Sequence, residues 1–291
     1  MTRTARPTTT TGMSNGTVPA GRGGADYRFE RFRTGLLIDD MRFPAHAPGP
    51  GDVVPSFDLP TLDGGRFRSD DLGDSPVLLV FGSRTCPVTE SAVPVLRALH
   101  ADLGGDVRFV LVSTREAHPG QDLPQPRTSA QKLAHARLLR DHHQVPFEVA
   151  VDDIDGTLHR ELGPKPNSAY VLTADGTIRY RAHWANDERG LRDALTRTVA
   201  GRSPRRGRSR GMAGPLLRAV GHLPGVVEAA GSQVERDVWR AAAPLALLAR
   251  VSRLFGRLPL DRRGPAAAVV TAAGVLAAAV VTTALVAAGL R

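Results

Sequence analysis

The sequence predicts an α/β sandwich built on a mixed parallel and antiparallel sheet, followed by a basic amphipathic segment and one long apolar helix. Three observations carry this. Two continuous apolar runs, PVLLVFG (76–82) and VRFVLVS (107–113), flank an amphipathic stretch over 87–103, the pattern of parallel strands joined by a crossover helix. SAYVLTADGTIRYRA (168–182) alternates and turns at Asp175–Gly176, as a hairpin does. PAAAVVTAAGVLAAAVVTTALVAAGL (265–290) contains no charged residue.

Taken in order, residues 1–25 are rich in Thr, Gly and Pro, lack the apolar stretch of a signal peptide, and are expected to be disordered. A folded domain is expected over 26–200. Within it, FERFRTGLLIDDM (29–41) reads as an extra strand along the body, and FDLPTLDGGRFRSDDL (57–72) as a hairpin leading into a short helix. After the crossover unit come a helix over 127–142, a strand over 147–152, the second hairpin, and a closing helix over 186–200 capped by Asn186.

Charge is unevenly placed. Residues 201–263 hold 13 arginines against 4 acidic residues, whereas 1–200 hold 24 basic and 25 acidic side chains. The pI near 10.9 therefore describes the C-terminal stretch and gives no reason to expect a nucleic-acid partner. Within that stretch, 201–264 reads as an Arg-rich linker and a juxtamembrane amphipathic helix. In PLALLARVSRLFGRL (244–258), Leu245, Leu248, Val251, Leu254, Phe255 and Leu258 oppose Arg250, Arg253 and Arg257, a pattern suited to anionic membrane lipids. At about 1.5 Å per residue, 265–290 spans roughly 39 Å, enough for a hydrocarbon core of about 30 Å. Arg262 and Arg263 before it place the body on the cytoplasmic side of a cell membrane, as a tail-anchored, single-pass protein.

The chain has one cysteine, which rules out an internal disulfide. Cys86 falls just past the first buried strand, at the start of the crossover helix, with Pro87 in the first helical turn. The helix N-terminus and Arg84 predict a lowered thiol pKa and a reactive nucleophile. STREAHPG (113–120) leaves the second strand towards the same edge, so Glu116 and His118 are candidate proton-handling partners. Thr85 and Pro166 are expected to shape the pocket, with Pro166 a candidate cis proline. His142, His143 and His222 read as incidental, and no metal cluster or phosphate-binding loop is evident.

These residues carry a resemblance. FGSRTCPV (81–88), STREAHPG (113–120) and NSAYVLTADGTIRY (167–180) resemble the thioredoxin-fold redoxins of AhpC/TSA type and, more narrowly, the iodothyronine deiodinases and their bacterial relatives. The deiodinases place selenocysteine where Cys86 stands, between residues matching Thr85 and Pro87, and carry Glu-Ala-His-Pro where this chain has Glu116 to Pro119. The resemblance implies a thioredoxin-like fold and reductive chemistry on an electrophile, with no cofactor. Arg84 occupies the position of that family's neighbouring cysteine, Pro126 that of its second histidine and Trp184 that of its hormone-binding arginine. Leu79 and Ser83 replace the peroxiredoxin Pro and Thr, and Thr89 replaces the second cysteine of a dithiol enzyme.

The expected function is a membrane-anchored one-cysteine thiol oxidoreductase. Cys86 would attack a halogenated aromatic, a peroxide or a disulfide, and a small thiol or thioredoxin would act as external reductant. The alternative is a non-catalytic membrane-bound adaptor or redox sensor on the same scaffold.

Overall fold

A computed structural model describes residues 27–205 and 212–287; the N-terminal segment expected to be disordered and most of the basic linker lie outside them. The elements run α1 (Thr34–Asp40), β1 (Asp58–Pro60), β2 (Arg66–Arg68), β3 (Val77–Gly82), α2 (Pro87–Leu103), β4 (Arg108–Ser113), α3 (Ser129–His143), β5 (Glu148–Val151), α4 (Thr157–Glu161), β6 (Ala169–Leu172), β7 (Ile178–Ala182) and α5 (Glu188–Val199). Beyond the linker follow α6 (Ala213–Val220), α7 (Leu223–Ala230), α8 (Ser232–Ser252), a 3-10 turn and α9 (Leu260–Ala287).

The main sheet has the order β5-β4-β3-β6-β7, with β3, β4 and β5 mutually parallel and β6 antiparallel to both of its neighbours, β3 and β7. The apolar run of β3 has a direct cause. Leu78 and Val80 face a core shared with Leu96, Leu99, Leu191 and Leu195, while Val77, Leu79 and Phe81 face a second core with Phe57, Phe67 and Tyr170. A strand covered on both sides has no position for a polar residue. This is a thioredoxin-like α/β fold, as the sequence predicts.

Helix ends follow local chemistry. Thr128 and Gln131 form a capping box on α3, and Gln144 ends that helix in the left-handed region at φ 48°. On α5 the cap is Asp187, accepting from Gly190 N, and not Asn186. Asn186 instead donates from its amide to Ser91 Oγ and to the Pro215 carbonyl, 2.9 Å away in the latter case. Two further expectations are corrected. Residues 69–71 form a turn rather than a helix. The 29–41 arm contains α1 rather than a strand, and Thr34 Oγ1 donates to the Ala241 carbonyl at 3.0 Å, so its partner is a helix.

The C-terminal helices do not stand apart from the body. Helix α6 packs on α2 and is tied to Asn186 at both ends of one contact, its Pro215 carbonyl accepting from the amide and Arg218 donating to the Asn186 carbonyl at 2.8 Å. Helix α8 kinks at Ala242 (φ −157°, ψ 64°), just before Pro244 restarts it. Its second half ends at Ser252, short of the expected Leu258, and Leu245 and Leu248 pack against a cluster including Phe32, Val226 and Val238. The apolar face assigned to lipid from the sequence is thus largely taken up by protein, with Leu254 left 82% exposed. Within α9, residues Leu260–Ala284 are long and apolar enough to cross a membrane, with a mean hydropathy of 2.0 and little burial. Only the start of α9 is packed: Gly264 meets the Leu217 carbonyl of α6, and Gly221 meets the Leu260 carbonyl, so closely that a Cβ at either glycine would overlap backbone.

Candidate active site around Cys86

Cys86 is the N-cap of α2 and Pro87 its first residue, as expected. The sulfur accepts a hydrogen bond from Thr89 N at 3.4 Å. The surroundings are not those of a reactive thiolate. Cys86 is 1% exposed and sits among Val88, Ala117, Trp184 and Ala219. Burial pushes the thiol up to about 11, outweighing the Thr89 hydrogen bond that favours the anion. The expected lowering is therefore corrected: the helix tip is present, but the apolar wall wins.

Arg84 does not offset this. Its guanidinium is committed to Glu90, with Nη1 2.5 Å from Oε1, and lies 3.4 Å from His142 Nδ1. Pro166 lines the Cys86 cavity, but no cis peptide bond occurs among the described residues, so its expected cis isomer is not found.

Glu116 and His118 both reach the edge that carries Cys86. Glu116 is 1% exposed, and its Oε2 accepts from Thr85 N (2.9 Å) and Thr85 Oγ1 (2.7 Å). Its Oε1 lies 2.9 Å from His135 Nδ1. Gln125 clasps the Glu116 backbone on both sides, accepting from its N–H at 2.9 Å and donating to its carbonyl at 2.7 Å. The carboxylate is a tether that fixes the loop before Cys86, with both of its oxygens engaged by protein groups. Thr85 Oγ1 also accepts from His118 N at 3.1 Å, locking the two loops together.

His118 lines the cavity beside Cys86, with its ring 4.2 Å from that of Phe32. Burial holds it down to about 4, so it is neutral at neutral pH, and its Nδ1 is buried without a hydrogen-bond partner. In this closed form the imidazole, at about 4, is too weak a base to take a proton from a thiol at about 11.

The cavity itself is about 80 Å³. Its floor is Cys86, Pro87 and Val88; one wall is Phe32, Leu37, Asp40 and Met41 from the arm; the other is Leu216, Ala219, Val220, Val238 and Leu245 from the C-terminal helices. Asp40 brings the one carboxylate to this lining. Burial raises it to about 7, against the pull of Arg115 and Lys165. Lys165 Nζ is buried without a hydrogen-bond partner, 4.3 Å over the Trp184 ring, and burial holds it down to about 8. Arg115 anchors the arm, donating to the Tyr27 carbonyl at 2.8 Å and stacking at 4.6 Å over the Tyr27 ring.

The sequence reading missed Asp40, His135 and Lys165. His135 carried a usable signal, lying one turn from Leu139 on the buried side of α3; Asp40 and Lys165 carried none. It also missed a constellation expected to be absent: Glu90, His142 and His143 bring three potential ligand atoms within 4.8 Å of one another. His222 is likewise not incidental, being 7% exposed and 2.8 Å through Nε2 from Asp261 Oδ1.

Strand order and the cysteine at the crossover-helix cap define the class of fold: over its body, the chain has a thioredoxin-like fold. Residues 50–181 match the model of the AhpC/TSA family. Among curated proteins, the methylamine utilization protein MauD of Paracoccus versutus is 35% identical over 65 residues, 22% of this chain and 30% of that protein. The chain thus spans about a third of that relative's length. Among solved structures, an uncharacterized conserved protein from Geobacillus kaustophilus is similar at 18% identity with a TM-score of 0.45, covering 57% of this chain and 87% of that one. The peroxidoxin BcpB of Mycobacterium tuberculosis is similar at 19% identity with a TM-score of 0.40, covering 53% and 97%.

Proposed function

We propose that the chain is a membrane-anchored one-cysteine thiol oxidoreductase, with α9 in the bilayer and the redoxin body on the cytoplasmic side. The observation that carries the reading is the position of the sulfur: the chain's one thiol caps the crossover helix at the floor of a cavity that also holds an unpartnered imidazole nitrogen. In the closed form the thiol is protonated. Parting the helical wall admits solvent, lowers the cost of the anion, and lets His118 take the proton. Glu116 acts as a positioning residue for Thr85 and His135.

The chemistry balances with an external thiol. A disulfide attacked by the Cys86 thiolate gives a mixed disulfide and releases one thiolate; an external thiolate then attacks the substrate-derived sulfur, forming a new disulfide and freeing Cys86. A peroxide ROOH gives ROH and a sulfenic acid, which two external thiols reduce to thiol, water and their own disulfide. An aryl iodide attacked at iodine gives the protonated arene and a sulfenyl iodide, reduced in the same way with release of iodide. The Thr-Cys-Pro and Glu-Ala-His-Pro matches to the deiodinases keep the halogenated aromatic in this set.

The test offers each electrophile with excess dithiol to the wild type and to Cys86→Ser. Consumption lost in Cys86→Ser supports the reading, and consumption that survives removes Cys86 from the mechanism. The near-complete burial of Cys86 favours a second reading, a redoxin-fold adaptor or redox sensor. That reading expects no turnover of any of the three, with Cys86 modified only stoichiometrically.

A further inference from the structure

We propose that Glu90, His142 and His143 form a binding site for a divalent transition-metal cation of the zinc type, separate from the redox chemistry at Cys86. Glu90 lies on the first turn of α2 and the histidines close α3, so one ligand comes from the cysteine helix and two from its neighbour. His142 Nε2 is 3.3 Å from Glu90 Oε2, and His143 Nε2 is 3.6 Å from Glu90 Oε1. Zinc bonds of about 2.0–2.2 Å at tetrahedral angles put neighbouring ligand atoms roughly 3.3–3.5 Å apart. The separation from His142 Nε2 to Glu90 Oε2 matches such an edge, and the three ligand atoms lie within 4.8 Å of one another.

Hydrogen bonding alone does not account for the arrangement. Consecutive helical residues point about 100° apart, yet both imidazoles converge on one carboxylate. The contact of His143 Nε2 is too long for a hydrogen bond, and the atom has no hydrogen-bond partner although its side chain is only 8% exposed. A buried, unpartnered nitrogen aimed at a carboxylate is satisfied by a cation between them.

Arg84 completes the picture. Its Nη1 donates to Glu90 Oε1 and so orients the carboxylate, as partners of ligating carboxylates commonly do, while Oε2 faces His142 Nε2. Binding through His142 Nε2 places that ring's proton on Nδ1, which releases the 3.4 Å contact with Arg84. Two imidazoles and a carboxylate select zinc, cobalt, nickel or copper over magnesium or calcium. Three protein ligands leave the remaining position to water.

The test titrates the full chain in detergent with Co²⁺, reads the visible absorption of a four-coordinate site, and displaces the cobalt with Zn²⁺. Expected are saturation at one equivalent, retention in Cys86→Ser and in His46→Ala, the latter an exposed histidine outside the trio, and affinity lower by about tenfold or more in His142→Ala and in His143→Ala. His142 is 43% exposed at its side chain, so His142→Ala decides the matter even if His143→Ala fails to fold. No saturable uptake, or equal affinity in wild type and His142→Ala, overturns the site. Because Cys86→Ser keeps the metal while losing thiol chemistry, this failure and a failure of the redox reading remain distinct.

Discussion

Replacing Gly120 with valine should free the thiol. Gly120 lies on the loop that carries His118, and a Cβ there would overlap the Ala230 carbonyl at the end of α7. The same carbonyl accepts from Asp122 N at 3.1 Å, so the substitution breaks the point where the C-terminal helices dock on the loop. Once the wall lifts, the thiol should relax from about 11 towards its ordinary 9.0. Two units raise the thiolate fraction at pH 7 about 100-fold, while the weaker basicity lowers intrinsic nucleophilicity by roughly six- to tenfold, leaving a net gain of about tenfold. Improved access adds to that. The assay is the second-order rate of iodoacetamide alkylation against pH, with hydrogen exchange at the Asp122 amide reporting whether the dock has opened. An exposed Asp122 amide with an unchanged alkylation rate would refute the claim that this wall suppresses the thiol.

Glu116→Gln keeps the shape but turns one acceptor oxygen into a donor facing Thr85 or His135. A loss of about 2–3 kcal/mol is expected for a buried hydrogen bond to a charged group, read from denaturant unfolding in detergent. Asp40 is raised in the folded state to about 7 from 3.8, so its contribution to stability is full below about pH 4 and is lost as pH rises through 7. Asp40→Asn should accordingly remove a fall in melting temperature between pH 5 and 8 that the wild type shows; identical profiles for the two would exclude the raised carboxyl. Gly264→Val forces α9 away from the Leu217 carbonyl and should cost about 1–3 kcal/mol as overpacking does, measured as a lower melting temperature.

Much of the fold was legible because each visible element obeys one local rule. The β3 and β4 runs are apolar throughout because both faces are covered, and the 168–182 hairpin is fixed by Asp175–Gly176. The position of Cys86 at the helix cap was legible for the same reason. Its electrostatics were not, because they depend on Trp184, in a loop, and on Ala219, in helix α6, which lie 98 and 133 residues further along the chain. Helix α1 has seven residues, of which Leu36, Leu37 and Asp40 alone are half-buried and the rest exposed, so its apolar pattern gave no clear period and its contact with α8 decided its form. His135 and Glu116 are 19 residues apart and meet only when α3 lies over the loop. The amphipathic 244–258 stretch showed which side was apolar but not what would cover it.

Gly264 and Gly221 let the backbones of α9 and α6 touch with no side chain between them, and α6 supplies Leu216, Ala219 and Val220 to the wall over the sulfur. The limb that would sink into lipid is therefore bolted to the lintel of the reaction chamber rather than tethered by slack chain. Cys86 would ride at a set height above the headgroups. Its reachable clients would be molecules that dwell in, or are carried to, that thin layer.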